Sequence, residues 1–158
     1  RLVGSEMCIR DRFAEMCRQH EFLYILGSGA SFSQTYGFAI CSLMEMQWQH
    51  CAYIHSGEYF HGPFEVLDKN TSVFLLVADG RTRPADERAV TFLKRYGGEK
   101  VYILDAKELG INRIPDSVCE YFNHILFSPI LNNVYMRQLS YAIKKDYNTR
   151  RYMWKVEY

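Results

Sequence analysis

The chain has 158 residues, of which 48% are hydrophobic and 23% charged, and this length and apolar fraction suit one domain with its own core. Nineteen basic and 18 acidic residues leave a formal net charge of +1. That balance argues against nucleic acid as the main partner, because phosphate backbones favour clustered basic residues. No apolar run is long enough to cross a bilayer, so we expect no membrane partner.

Two features of the sequence concern the cellular location of the protein and the origin of its first residues. The five cysteines form no C-x-x-C pair and their number is odd, which favours reduced thiols and a cytoplasmic location. The first twelve residues, RLVGSEMCIRDR, differ from the rest of the chain and resemble translated sequencing-adaptor read-through. We therefore expect residues 1–12 to be an artefact outside the fold, the alternative being the start of an ordinary amphipathic helix.

Short, nearly continuous apolar runs recur along the chain in the manner of buried parallel strands. The five runs are residues 22–26, 51–55, 73–78, 100–104 and 124–127. Helical patterns separate or follow them, at residues 31–49, 84–96 and 131–147. This alternation predicts an α/β fold with a doubly wound, flavodoxin-like, five-stranded parallel sheet and helices on both faces.

Ligands of such sheets bind beyond the carboxyl ends of the strands, where the strand order reverses. The turn GSGAS, residues 27–31, follows the first strand and lies at this edge. Its amides and the hydroxyls of Ser28 and Ser31 could hold sugar oxygens or an anion, the alternative being a tight strand-to-helix turn. The turn matches neither G-x-G-x-x-G nor a G-K-[ST] loop, so nucleotide binding has little support.

Glu45 is the only formally charged residue between Glu21 and Glu58. It lies near the end of the predicted helix at 31–49, among apolar and uncharged polar neighbours. Such surroundings disfavour the carboxylate anion, which suits a general base that works near neutral pH. The alternative is a lone solvated glutamate on the outer face of a half-buried helix.

His61 lies in the segment GEYFHGPFE, which follows the second predicted strand at the ligand-binding edge. Gly62 and Pro63 change the chain direction immediately after it. Because histidine titrates near neutrality, a positioned imidazole can exchange protons with substrate oxygens. The alternative is a histidine in a surface turn.

The closing segment NTRRYMWKVEY places Arg150, Arg151 and Lys155 among aromatic residues. Cations there could reach a phosphate, although solvated charges on a docked tail are the alternative. Two pairs have ligand-like spacing, His50 with His55 and Glu58 with His61, but no third and fourth ligand follows. We therefore expect no metal site.

These features occur in an order that resembles the second sugar-isomerase (SIS) domain of glucosamine-6-phosphate synthase and its relatives. The order is a Gly-rich turn, a helix that ends in glutamate, a strand and the motif G-E-x-x-H-G-P. The helix glutamate and the histidine before Gly-Pro are catalytic in that family, which implies catalytic roles for Glu45 and His61. The two residues lie sixteen positions apart here, the same spacing as in the family.

The segments GEYFHGPFEV, TRPADERAVTFLKRYG and RRYMWKVEY are similar to segments of the fructosamine-6-phosphate deglycases. The similarity runs from about Phe13 to Tyr158. One departure is at Gly80 and Arg81, which stand where the family resemblance leads us to expect an aspartate. The resemblance implies that residues 13–158 are the second, C-terminal SIS domain of a two-SIS-domain enzyme whose first domain, with its phosphate-binding loop, lies upstream. It further implies that this fragment alone is inactive.

The implied activity is that of a deglycase, which converts a 6-phosphorylated ketoamine such as fructoselysine 6-phosphate through an enaminol to glucose 6-phosphate and a free amine. No metal or organic cofactor is implied. An aldose–ketose isomerase or glucosamine-6-phosphate synthase activity uses the same residue pair and stays open, as does a non-catalytic module that binds sugar phosphate. The family also implies at least a homodimer, for which Tyr59, Phe60 and Trp154 are candidate exposed interface residues.

Overall fold

A four-stranded parallel sheet forms the centre of the computed structural model, which describes residues 4–19 and 21–158, and side chains from residue 9 onward. The strands are β1 (Leu23–Gly27), β2 (Cys51–His55), β3 (Ser72–Val77) and β4 (Val101–Asp105). Their order is β2-β1-β3-β4, and all three pairings are parallel. This order puts the reversal between β1 and β3, so the loops after these two strands flank the switch point.

Helices cover both faces of the sheet because its strands carry apolar side chains on both sides. Five α-helices and two π-helical segments are described. They are α1 (Gly4–Gln19), α2 (Phe32–Gly37) with a π-helix at Phe38–Met46, α3 (Arg83–Tyr96), α4 (Asn123–Pro129) with a π-helix at Ile130–Tyr135, and α5 (Met136–Ile143). None of the described helices combines the length and the apolar character that a bilayer crossing needs.

Strand β3 shows how the two cores arise from one sequence pattern. All six of its residues are buried, and successive side chains point to opposite faces. Phe74 and Leu76 join the larger core under α1, the helical chain after β1 and the C-terminal helices. Val73, Leu75 and Val77 join the second core under α3. The predicted doubly wound α/β class is therefore confirmed.

The predicted fifth strand, residues 124–127, is wrong, because this stretch belongs to α4. A short apolar run cannot be assigned to a strand or a buried helix by periodicity alone. The longer pattern decides it, since one fully buried stripe recurs at every fourth residue. That stripe consists of Asn123, Phe127, Leu131, Tyr135 and Leu139.

Of the twelve N-terminal residues assigned to an artefact, residues 1–3 lie outside the described residues. Residues 4–12 form the first part of α1. Ile9 packs partly buried against the larger core, and the next residue after the stretch, Phe13, is fully buried in it. The artefactual origin of residues 1–12 stays a prediction.

Candidate functional site

Glu45 lies near the amino-terminal edge of the sheet. The helical chain that follows β1 begins at the opposite edge, runs back along the sheet, and ends with the π-helix Phe38–Met46 just before β2. The amide of Leu23, at the start of β1, donates to the carbonyl of His50 over 3.0 Å. The end of this helix is thereby fixed beside the strand starts, and Glu45 with it.

An arginine from the C-terminal tail (residues 144–158) lies against Glu45. Arg150 Nε donates to the carboxylate oxygen Oε1 over 3.0 Å, and Nη2 lies 2.9 Å from the same oxygen in an ion pair. The Arg150 side chain is only 10% exposed and that of Glu45 26%. The prediction from the sequence that Glu45 has no charged neighbour is therefore wrong. Its counter-ion, Arg150, comes from a segment 105 residues away in the chain.

Trp48 connects the tail to the same helix end. It adopts a positive φ of 58°, an uncommon conformation for a bulky residue that neighbouring contacts must hold. The Lys145 ammonium lies 3.9 Å from its ring centroid and donates to the carbonyl of Met46, while the Arg151 guanidinium lies 4.3 Å from the ring. Partial burial, with Arg150 nearby, lowers the pKa of Lys145. These cations satisfy a free helix-end carbonyl and cover an aromatic face.

A cavity of about 460 Å³ opens beside this ion pair, and its walls include Glu45, Trp48, His50, Arg150 and Arg151. Aromatic faces, a carboxylate and an imidazole share these walls. Groups of this kind can bind a polar ligand and move a proton on it.

The two tail residues predicted to bind substrate, Arg151 and Lys155, differ in their surroundings. Arg151 is exposed and lines the cavity, as a substrate-binding cation would. Lys155 is exposed, and its side chain is not among the cavity walls. Both assignments to substrate binding stay predictions.

His61 belongs to a short helical segment that aromatic side chains fix to α3. Tyr59 is only 2% exposed, which corrects its expected place at an interface, and burial raises its pKa to about 12. The ring centroids of Phe60 and Phe92 lie 5.5 Å apart. The Arg88 guanidinium also contacts Phe60, at 4.0 Å from the ring centroid. The His61 side chain itself is exposed, so the anchors hold the turn while the imidazole faces outward.

Gly62 ends this segment with a φ of 137°, a conformation that favours glycine. A second helical turn, Pro63–Val66, begins directly after it. His61 lines a separate cavity of about 470 Å³ with Tyr53 and Glu58.

Glu45 and His61 therefore do not meet within one chain. Glu45 precedes β2 and His61 follows it, and a five-residue parallel strand separates their sheet edges by roughly 13 Å or more. The helix between β1 and β2 must run antiparallel to both strands, which takes Glu45 away from the carboxyl-terminal edge.

The turn at residues 27–31 lies at the same edge as the His61 segment, as predicted, because the Ser56 amide donates to the Gly27 carbonyl over 2.9 Å. Ser28 and Ser31 are fully buried. The Ser28 hydroxyl donates to the carbonyl of Thr82 over 3.3 Å, and the Ser31 hydroxyl to the carbonyl of Ser28 over 2.9 Å. Both hydroxyls thus stabilise the turn, and their predicted role in substrate binding stays a prediction.

Asp86 is a buried carboxyl group beneath this edge that the sequence did not single out. It is 0% exposed, and its Oδ2 accepts a hydrogen bond from the Ala78 amide over 3.0 Å. Burial raises the pKa of Asp86, while the hydroxyls of Ser56 and Ser28 oppose the shift. An acidic residue in the first turn of a helix was a weak signal, since it usually marks an exposed position. Among the described residues, no three His, Cys, Asp or Glu side chains group as metal ligands.

Comparison with known proteins gives several clear relatives. The chain is 42% identical over 147 residues to a fructosamine deglycase of Bacillus subtilis (strain 168), covering 93% of this chain and 44% of the relative. It is 30% identical over 152 residues to the fructoselysine 6-phosphate deglycase of Escherichia coli (strain K12), with 93% and 42% covered. A solved Bacillus subtilis structure described as a candidate phosphosugar isomerase superposes with a TM-score of 0.90 and 40% identity, covering 98% of this chain and 46% of that one. No family model matches the chain.

Fold and sheet order define an α/β domain with the fold of that solved structure, which is described as a candidate phosphosugar isomerase. The chain is a homologue of the fructosamine and fructoselysine 6-phosphate deglycases, as the motif resemblance predicted. It spans less than half the length of either curated relative.

Proposed function

We propose that this chain is the C-terminal SIS domain of a deglycase that acts on a 6-phosphorylated ketoamine. The observation that carries the proposal is the Glu45 carboxylate, which an arginine holds at the wall of a cavity. The names of the homologous deglycases support the substrate class. A sugar phosphate is the proposed substrate, and a further SIS domain in the same protein is proposed to carry its phosphate site.

The proposed reaction is a proton shuttle followed by hydrolysis. Glu45 takes a proton from C1 of the open-chain ketoamine, and the carbonyl oxygen at C2 gains a proton to give an enaminol. Glu45 then returns its proton to C2 and the nitrogen loses its own proton to solvent, which leaves an imine between C1 and the nitrogen. Water adds to C1 and the C–N bond breaks, which yields glucose 6-phosphate and the free amine. His61 handles ring opening and the protons on oxygen.

Because Glu45 and His61 lie at opposite sheet edges of one chain, we propose that a second copy supplies the missing partner to each site. A two-fold symmetric dimer brings the same two patches together twice, so one contact completes two sites. Trp154, a residue of the C-terminal tail that is 80% exposed, is a candidate for that contact. The exposed histidine turn is another.

The test is substitution of Glu45 in the full-length protein. Glu45→Gln keeps the shape of the side chain but cannot accept the C1 proton. We expect kcat for amine release to fall by roughly two to four orders of magnitude with little change in KM. Both amine and glucose 6-phosphate are assayed, because an isomerase would release no amine. Glu108→Gln, at an exposed glutamate, is the matched control, and near-normal turnover by the Glu45 variant removes this residue from the mechanism.

A further inference from the structure

The two contacts that Glu45 makes with Arg150, a hydrogen bond and an ion pair, are distributed unequally over the carboxylate. Nε of Arg150 donates to Oε1 over 3.0 Å, and Nη2 lies 2.9 Å from the same oxygen in an ion pair. Among the described residues, no side chain or amide donates a hydrogen bond to Oε2. An arginine usually pairs with a carboxylate by giving one hydrogen bond to each oxygen. The arrangement here restrains the side chain through one oxygen and leaves the other available at the cavity wall.

Arg150 is itself fixed on the side away from Glu45. Its Nη1 donates to the carbonyl of Tyr147 over 2.6 Å and to that of Thr149 over 3.4 Å. With the side chain only 10% exposed, the guanidinium has little room to move. The tail backbone therefore sets where the guanidinium lies, and the guanidinium sets where the carboxylate lies.

The neighbouring arginine serves as an internal comparison. Arg151 makes no ion pair with any described carboxylate, and its guanidinium stacks on Trp48 at 4.3 Å. Two consecutive arginines thus line one cavity in different ways. Only Arg150 has the contacts to orient Glu45.

We infer that Arg150 is a positioning residue for the base: it holds Oε1 of Glu45 so that Oε2 faces the substrate carbon. The inference rests on the proposed function, since it needs Glu45 to accept a proton. It adds the C-terminal tail to the catalytic apparatus through a residue that does not itself touch the reacting atoms. Holding the carboxylate in one orientation preserves the alignment that proton abstraction requires.

The experiment uses Arg150→Ala in the full-length protein, with Arg150→Lys as the conservative variant and Arg137→Ala as the control at an exposed arginine on α5. We expect Arg150→Ala to lower kcat by about 10²-fold with KM little changed, because a small misplacement of a catalytic group costs this much. Guanidinium ion at sub-denaturing concentration is expected to restore part of the rate to Arg150→Ala and none to Glu45→Gln. Arg150→Lys is expected to retain an intermediate rate, and it replaces Arg150→Ala if that variant does not fold.

The double variant Glu45→Gln/Arg150→Ala separates positioning from a general structural effect. If Arg150 acts through Glu45, the double variant loses no more activity than Glu45→Gln alone. A full additional loss, or an unchanged kcat in Arg150→Ala, overturns the inference.

A crystal structure of Arg150→Ala gives a readout that does not depend on activity. The Glu45 carboxylate is expected to leave its wild-type position, and an unmoved carboxylate overturns the inference. Failure of the wild-type protein to release amine would instead refute the proposed function, and this structural result would still stand by itself.

Discussion

Single residues at the carboxyl edge of the sheet combine burial with unusual backbone or charge. Gly29 has a φ of 55°, and a Cβ there would clash with the Thr82 side chain. This close approach brings the turn after β1 against the start of α3. The turn was recognised in the sequence by its glycines, but its partner was not, because nothing local marks Thr82 as a neighbour.

We expect Gly29→Ala to destabilise the protein by about 1–2 kcal/mol from the left-handed conformation alone, and by more from the clash. Gly37→Ala is the matched control, because this helical glycine has nothing within 4 Å of an added Cβ. That substitution is expected to stabilise by roughly 0.5–1 kcal/mol. Urea denaturation of both variants measures the difference, and similar effects of the two would contradict the described turn.

Asp86 predicts a pH dependence of stability. Burial raises its folded pKa above the unfolded value, which is about 3.9. As the pH rises, the carboxyl group of Asp86 therefore loses its proton in the unfolded chain before it does so in the folded protein. Its contribution to the stability of the fold is fully present below the unfolded pKa and is lost as the pH rises through the folded pKa. Asp86→Asn lacks this titration and keeps an oxygen for the Ala78 amide. Relative to wild type, the variant is expected to gain stability between acidic and neutral pH in urea titrations.

The control for Asp86 is Asp68, an exposed aspartate whose titration has the opposite sign. A hydrogen bond from the Thr71 hydroxyl lowers the pKa of Asp68. Its stabilisation is therefore present above the unfolded pKa and is lost as the pH falls through the folded one. The Asp68→Asn variant should accordingly become less stable, relative to wild type, as the pH rises. Parallel pH trends for the two variants would contradict both assignments.

At the scale of elements, the His61 turn depends on the face of α3. Aromatic contacts join Phe60, Phe64 and Phe92, with ring centroids 5.5 to 5.8 Å apart. These contacts, with buried Tyr59, fix a segment that two short helical turns and Gly62 would otherwise leave poorly restrained. Helix α3 thus supports the turn that carries His61.

We expect Phe92→Ala in the full-length protein to lower kcat by loosening this turn, although Phe92 touches no proposed reacting atom. Its stability cost should stay below the roughly 3–5 kcal/mol of a fully buried phenylalanine, because Phe92 is only partly buried. Phe22→Ala, at a half-exposed ring remote from the turn, is the comparison. Steady-state kinetics with melting temperatures check this, and equal kcat values in the two variants would count against the anchor.

Much of the fold could be predicted because its strongest signals are local. Residues 51–55 form β2 with the predicted bounds, and the helix predicted at 84–96 is α3 (Arg83–Tyr96). Residues 124–127 were wrongly predicted to be a strand because the prediction relied on their apolar composition. The buried positions that recur at every fourth residue over the longer segment indicate a helix. The site was harder, because the contact between Glu45 and Arg150 joins residues 105 positions apart, and no periodic pattern encodes such a pair.

At the scale of the whole molecule, the separation of Glu45 from His61 predicts complementation. Full-length Glu45→Gln and His61→Asn proteins should each have a strongly lowered kcat. If sites form between copies, mixed dimers carry one intact site, and unfolding and refolding the two variants together should restore up to about a quarter of wild-type activity. Amine release by the mixture is the measurement. Light scattering should show at least a dimer, and no recovery in a confirmed dimer contradicts a shared site.

The π-helix Phe38–Met46 constrains the number of residues in this segment as well as their identity. Each residue of an α-helix turns the chain by about 100°, and a π-helix accommodates extra residues within its turns. Removing one residue from this segment, such as exposed Cys41, would let it relax toward an α-helix and rotate everything that follows. The hydrophobic positions could still find the core, while Glu45 would turn away from the cavity and from Arg150. Insertions and deletions here should therefore be excluded among active homologues even where substitutions are tolerated.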